Sequence, residues 1–173
     1  MRAPHYLVGI FGGLLLAGTT SALSFDKGEL VKAAIIEKIS RFIDWPQQPG
    51  TAFSLCVIGE HPQLPVLRTY YESTTIAERP VAIRVLKRDE ALAGCQVVLL
   101  AQKDASDLAN YRARAERDHV LLIAEGSELA KNGVHVAFYS DMNKLRLEVN
   151  RKALEASGLK ASFRLLEVAK VVD

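Results

Sequence analysis

Two short runs decide most of how this chain can fold. Cys95–Ala101 reads CQVVLLA and Val120–Ala124 reads VLLIA. Each is almost wholly apolar, and each is shorter than an ordinary buried helix. A strand without a polar face must be covered on both sides, as a parallel strand is beneath helices. Between the two runs, Asp104 is placed to cap a helix over Ala105–Arg117. Leu108 and Tyr111 then point to the core, and Arg112, Arg114, Glu116 and Arg117 make a solvated face. Strand, helix, strand with apolar strands predicts an α/β fold: a mainly parallel sheet flanked by helices.

The rest of the chain fills in that plan. Phe53–Ile58 (FSLCVI) is a strand ended by Gly59, Val66–Tyr71 a short helix, and Val81–Leu86 an alternating, half-buried strand. The pattern then changes. Val134–Phe138 and Leu145–Val149 flank the polar segment Tyr139–Lys144, which predicts an antiparallel hairpin with a loop longer than two residues. On its second strand Leu145, Leu147 and Val149 face one way, and Arg146, Glu148 and Asn150 the other. Asn150 suits the N-cap of a helix over Arg151–Ser157, with Gly158 just beyond its end. A terminal helix is expected from about Ala161 to Val171, burying Phe163, Leu166, Ala169 and either Val172 or Leu165.

Near the start, LVKAAIIEKISRFIDWP (Leu30–Pro46) reads as an amphipathic helix stopped at Trp45-Pro46. Its apolar positions Val31, Ala34, Ile35, Ile39, Phe42 and Ile43 have the spacing of one buried face. Asp26 and Glu29 stand three apart before it, as in a capping box. The plain reading is a core-packing helix. The sharper one makes Phe42 and Trp45, with Tyr70 and Tyr71, anchors for a partner protein.

The first residues carry an address. Arg2 precedes an apolar run, Tyr6–Ala17, too short to span a bilayer, and Thr20-Ser21-Ala22 has the small residues of a cleavage site. Residues 1–22 therefore read as a cleaved secretory signal, and residues 23–173 as one exported domain. One of the 22 basic residues and none of the 20 acidic ones lies in that signal, so the mature chain carries about +1. That balance gives no electrostatic reason to expect nucleic acid as a partner. Two cysteines, Cys56 and Cys95, in an exported chain most simply form one disulfide; the alternative is two buried thiols.

The chemistry of catalysis leaves no pattern here. There is no phosphate-cradling glycine motif, no GxSxG elbow, and no metal spacing among His61, His119 and His135. No catalytic residue, metal ligand or cofactor is assigned, and the chain is not read as an enzyme. Arg146, Glu148, Asn150 and Arg164 form the most notable polar set. They read either as an exposed sheet face with cross-strand pairs or as a patch for protein contact or ligand capture. His61, just past a strand's end, occupies the place where α/β sheets bind ligands.

KAAIIEKISRFIDWP, FSLCVIGEHP, LAGCQVVLLA and LRLEVNRKALEASGLKASFRLLEVA occur in that order along nearly the whole mature chain. Together they resemble the YfiR-like family of periplasmic proteins. The resemblance implies a non-enzymatic inhibitor that binds the periplasmic region of a membrane-bound diguanylate cyclase and lowers cyclic di-GMP, with consequences for biofilm and motility. It also implies an outer-membrane lipoprotein that captures the inhibitor. Cys56 and Cys95 match the family's disulfide-forming strand cysteines, whereas the second pair carried by some members is missing. A homodimer is a further expectation. The alternative function is a periplasmic sensor that captures a small ligand at the sheet's C-terminal edge and reports it to a membrane partner.

Overall fold

The computed structural model describes residues 26–46, 50–142 and 144–173. The signal read at residues 1–22 lies outside the described residues. In chain order the elements are α1 (Lys27–Arg41), β1 (Ile43–Asp44), β2 (Phe53–Ile58), α2 (Leu64–Tyr71), β3 (Thr75–Ile76), β4 (Arg79–Leu86) and β5 (Val97–Leu100). A 3-10 segment (Gln102–Asp107) leads into α3 (Leu108–Asp118) and β6 (Leu121–Glu125). The hairpin β7 (Val136–Asp141) and β8 (Lys144–Asn150) follows, then α4 (Arg151–Ala156), β9 (Lys160–Ala161), α5 (Phe163–Val168) and β10 (Lys170–Val172).

Eight strands form one sheet in the order β10-β8-β7-β6-β5-β2-β4-β3. The neighbours from β4 through β7 are all parallel, β7–β8 is the expected antiparallel hairpin, and β10 adds to β8 in parallel. All four residues of β5 are buried, as are the first four of β6. Helices explain why. On one face Ile36, Ile39, Leu67, Leu154 and Leu165 pack on Leu55, Val57, Leu99 and Ile123. On the other, Tyr111 and Ala115 of α3 pack on Ile58, Val98, Leu100 and Leu122. The mainly parallel α/β fold with a C-terminal antiparallel hairpin is the observed one.

Cys56 of β2 and Cys95, just before β5, form a disulfide across the sheet's centre, with Cα atoms 6.0 Å apart. Both residues are buried.

Several local expectations are corrected. Helix α1 buries Lys32, Ala33, Ile36, Ile39 and Ser40, while Val31 is 48 % exposed. The helix is apolar around much of its circumference, so two faces fit its period. The buried one sets Ala33, Ile36 and Ile39 in the core and brings Lys32 to acidic partners. Asp26 does cap, accepting from Gly28 N at 3.2 Å, but Glu29 pairs with Lys32 instead of reaching back. The helix ends at Arg41, before the Trp-Pro corner, because Ile43–Asp44 pairs with Ala161–Lys160 as a small antiparallel ladder.

Asp104 does not cap α3. A 3-10 turn intervenes, and the buried Asp104 carboxylate lies 2.7 Å from Arg88 Nη2. Arg114 is not solvated. It is buried, stacks over the Tyr111 ring at 5.2 Å and donates to the Arg88 carbonyl at 3.0 Å. The hairpin loop is shorter than expected, since pairing continues to Asp141↔Lys144.

The terminal helix is also shorter. It runs only from Phe163 to Val168, with Leu165 buried and Phe163 74 % exposed, and Lys170–Val172 becomes a strand because the open edge of β8 offers a ladder that suits β-branched residues. The cap prediction stands: Asn150 Oδ1 accepts from Ala153 N at 2.8 Å, and Gly158 follows the helix with φ +70°, a conformation that favours glycine.

Candidate functional site

From β2 the chain runs to β4 on one side, then returns to place β5 on the other. The strand order reverses between β2 and β5, and crevices open at the C-terminal ends of strands where this happens. A cleft of about 440 Å³ lies there. That is within the range of small-molecule sites. Its floor is Leu99, Ile123 and Phe138, and its polar lining includes His61, Gln63, Glu125, Ser127, Tyr139 and Ser140.

Each polar side chain is set by the element that ends beside it. β2 ends at Ile58, and Gly59, at φ +55°, donates its N–H to the Leu86 carbonyl at 2.8 Å and turns the chain toward the cleft. His61 Nδ1 accepts from Gln63 N at 3.2 Å, so the proton of the neutral ring sits on Nε2. Burial lowers the His61 pKa. A contact to the Leu100 carbonyl and the charges of Asp104, Glu29 and Glu125 oppose that only in part. Gln63, at the start of α2, is 7 % exposed. Glu125 ends β6 and receives Lys32 Nζ at 2.6 Å, which also binds Glu29 Oε1 at 2.9 Å. Burial alone would lower the lysine's pKa, but these two carboxylates raise it. The triad ties α1 to the rim.

The four aromatic candidates separate. Tyr71 is buried and its hydroxyl donates to the Ala33 carbonyl at 3.0 Å, with its pKa raised mainly by burial. Phe42, the residue after α1, is half-buried against the core. Trp45 is half-buried, edge-on to Phe53 at 5.8 Å, and donates to the Ser40 carbonyl at 3.3 Å. Tyr70, half-buried, meets Tyr71 edge-on at 5.1 Å.

The polar set separates too. Glu148 and Asn150 are buried, not on an exposed face. Glu148 receives Lys170 Nζ at 2.7 Å, and Asn150 also donates to the Ala130 carbonyl at 2.8 Å. Arg146 and Arg164 are exposed; Arg146 Nε lies 3.8 Å from Asp141.

One pair imitates a catalytic one. Ser157 Oγ lies 2.9 Å from His135 Nε2, as a nucleophile would from its base. However, Nδ1 of the same ring accepts the Leu122 N–H at 2.9 Å, which leaves the ring proton on Nε2, facing the serine. Such an imidazole cannot take the serine's proton, and both residues are buried. Burial pushes the His135 pKa down to about 3. The sequence did not reveal this pairing, since 22 residues separate the partners.

Comparison with known families settles membership. Residues 29–170 match the family described as YfiR/HmsC-like. The chain belongs to the YfiR/HmsC-like family. That family is one of periplasmic regulatory domains. No curated protein gives a significant match. Among solved structures, a conserved domain protein from Vibrio cholerae O1 biovar El Tor is similar at TM-score 0.63 and 11 % identity over 84 % of this chain. A Streptococcus pneumonia structure titled as an ABC domain in complex with L-Trp is similar at TM-score 0.59 and 9 % identity over 83 %. The chain spans about 60 % of each of those two chains, and at these identities the likeness is one of fold. Among the described residues no helix is long and apolar enough to cross a membrane.

Proposed function

We propose that this YfiR/HmsC-like protein is a non-enzymatic periplasmic regulator that binds the periplasmic region of a membrane-bound diguanylate cyclase and lowers cyclic di-GMP output. The observation that carries the reading is the family match over residues 29–170. A binding protein inhibits only by favouring the partner's inactive state, and shifting that partner from 1:99 to 99:1 takes about 5.5 kcal/mol of differential affinity. Half-exposed aromatics and exposed arginines are residue types that suit such a contact. Trp45, Phe42 and Tyr70 are the aromatic candidates that retain exposed surface, and Arg146 and Arg164 are the exposed members of the polar set. An outer-membrane lipoprotein that captures the protein would relieve the block.

The test is cellular cyclic di-GMP in a deletion strain complemented by the full chain or by one lacking residues 1–22. A rise on deletion, reversed only by the exported form, is expected. An unchanged level with expression confirmed would sink the reading.

A second reading is favoured by the cleft. Its position at the strand-order reversal and its volume suit a small-molecule sensor that reports to the same membrane partner.

A further inference from the structure

A second recess, of about 260 Å³, lies near the start of β7, whereas the cleft lies at that strand's end. Helix α3 supplies Arg112 and Glu116, the turn before β7 supplies Lys131 and Gly133, α4 supplies Lys152, and Asp173 closes it. Some of these charges are already engaged. Lys131 Nζ lies 2.7 Å from Glu128, and Asp173 accepts from Arg151 Nη2 at 3.2 Å. Arg112 and Lys152 are not engaged. All 20 acidic residues lie among the described residues, and neither cation forms an ion pair with any of them. Glu116, four residues on from Arg112 along α3, would be its ordinary partner. Instead the half-buried Arg112 side chain lies against Gly133, where an added Cβ would come within 2.6 Å of the guanidinium carbon. Glycine thus holds the guanidinium in the recess without an acid to pair it. A guanidinium so placed is a fork open to a planar oxyanion, which it can grip with two parallel hydrogen bonds. The lining holds three bases against two acids, so a singly charged anion neutralises it. A phosphate dianion would set its second charge against Glu116. Ala153 and Ala156 add small apolar walls, and the volume lies below that of most drug-sized sites.

We propose that the recess between α3, the turn before β7 and α4 binds a small, singly charged carboxylate, with Arg112 as its bidentate anchor and Lys152 as the second cation. The ligand's short body rests on Ala153 and Ala156. Selectivity against cations follows from the two unpaired bases, and selectivity against dianions from Glu116 on the same wall. The site is independent of the cleft and of the regulatory reading.

The experiment is an amide chemical-shift titration of the exported protein with L-lactate, L-alanine, inorganic phosphate and putrescine. Lactate should saturate with a Kd of about 1 mM, with shifts centred on Arg112, Gly133, Lys152 and Ala153. Arg112→Met keeps the apolar stem and removes the charge, and should weaken lactate binding about tenfold. Arg112→Lys keeps the charge and loses the fork, and should weaken it severalfold. Should the methionine variant fail to fold, Lys152→Met, at an exposed position, should still weaken the same titration severalfold. Full affinity in Arg112→Lys would overturn the bidentate anchor. Tighter saturation by phosphate would overturn the preference for a single charge. Tighter saturation by L-alanine would make Glu116 a partner of the ligand's ammonium and overturn the simple anion, and saturation by putrescine would overturn the anion class altogether. No saturation by any probe to about 50 mM would overturn the site, as would lactate binding unmoved by both methionine variants.

Discussion

The centre of the sheet and its C-terminal third are held by different physics. In the centre, β2, β5 and β6 bury apolar side chains on both faces, and a disulfide joins β2 to the start of β5. In the outer third, β7, β8, β10 and α4 bury polar groups: His135, Glu148, Asn150 and Ser157. Apolar burial is non-directional, so many arrangements satisfy it. Buried polar groups must meet particular partners at particular angles. The centre is therefore a platform, and the outer third a lock whose pieces come from distant parts of the chain. The candidate cleft lies where the two meet, floored by Leu99 and Ile123 from the centre and Phe138 from the third.

The comparison can be broken most sharply at the centre. Replacing both Cys56 and Cys95 by Ala should destabilise the protein by about 4 kcal/mol, because it frees a long loop in the unfolded chain. Urea unfolding measures this. A loss of less than about 1 kcal/mol would mean that packing alone holds the platform.

A second prediction separates the regions by pH. His135 is neutral in the folded protein, with its pKa held near 3, whereas an unfolded histidine titrates near 6.5. Stability is intact above pH 6.5. As pH falls below that, the unfolded chain takes up a proton that the folded ring refuses, and the loss completes near pH 3. At pH 5 the cost is roughly 2 kcal/mol relative to pH 7.5. His135→Gln should lower stability overall yet flatten that part of the pH dependence. An unchanged slope in the variant would assign the pH response to other groups.

Smaller effects should map the lock's edge. Asn150→Ala removes the α4 cap and the bond to Ala130, and should cost about 1–2 kcal/mol. Phe163→Ser, at a side chain left on the surface, should stay within about 0.5 kcal/mol. Equal losses at the two positions would erase the distinction between buried polar lock and exposed edge. Thermal or urea midpoints decide it.

The sequence was legible where one rule applied without a rival. CQVVLLA and VLLIA read as covered strands and FSLCVI as a strand, and the two cysteines sit on FSLCVI and at the head of CQVVLLA. Asn150 and Gly158 announced their helix ends because caps are local chemistry. Legibility failed where two answers fitted the same residues. Helix α1 has apolar residues around much of its surface, so its period did not fix its rotation; packing of Ala33, Ile36 and Ile39 in the core did, and it brings Lys32 to Glu125, 93 residues away. Val171 and Val172 suit a helix's apolar face and a strand alike, and the free edge of β8 settled it. In the candidate site, His61 was foreseen at a strand's end, but Gln63, Tyr139 and Ser140 were not, because nothing in their neighbourhoods marks them as convergent.

By itself, then, the sequence determined the covered strands, the mainly parallel α/β class, the local caps and the family resemblance, all set by short-range pattern. Tertiary structure alone decided which face of α1 is buried, where the chain adds its last strand, that His135 faces Ser157 as a donor, and which neutral groups gather at the cleft. Those outcomes depend on distant residues meeting in space, and directional partners of that kind leave no periodicity to read.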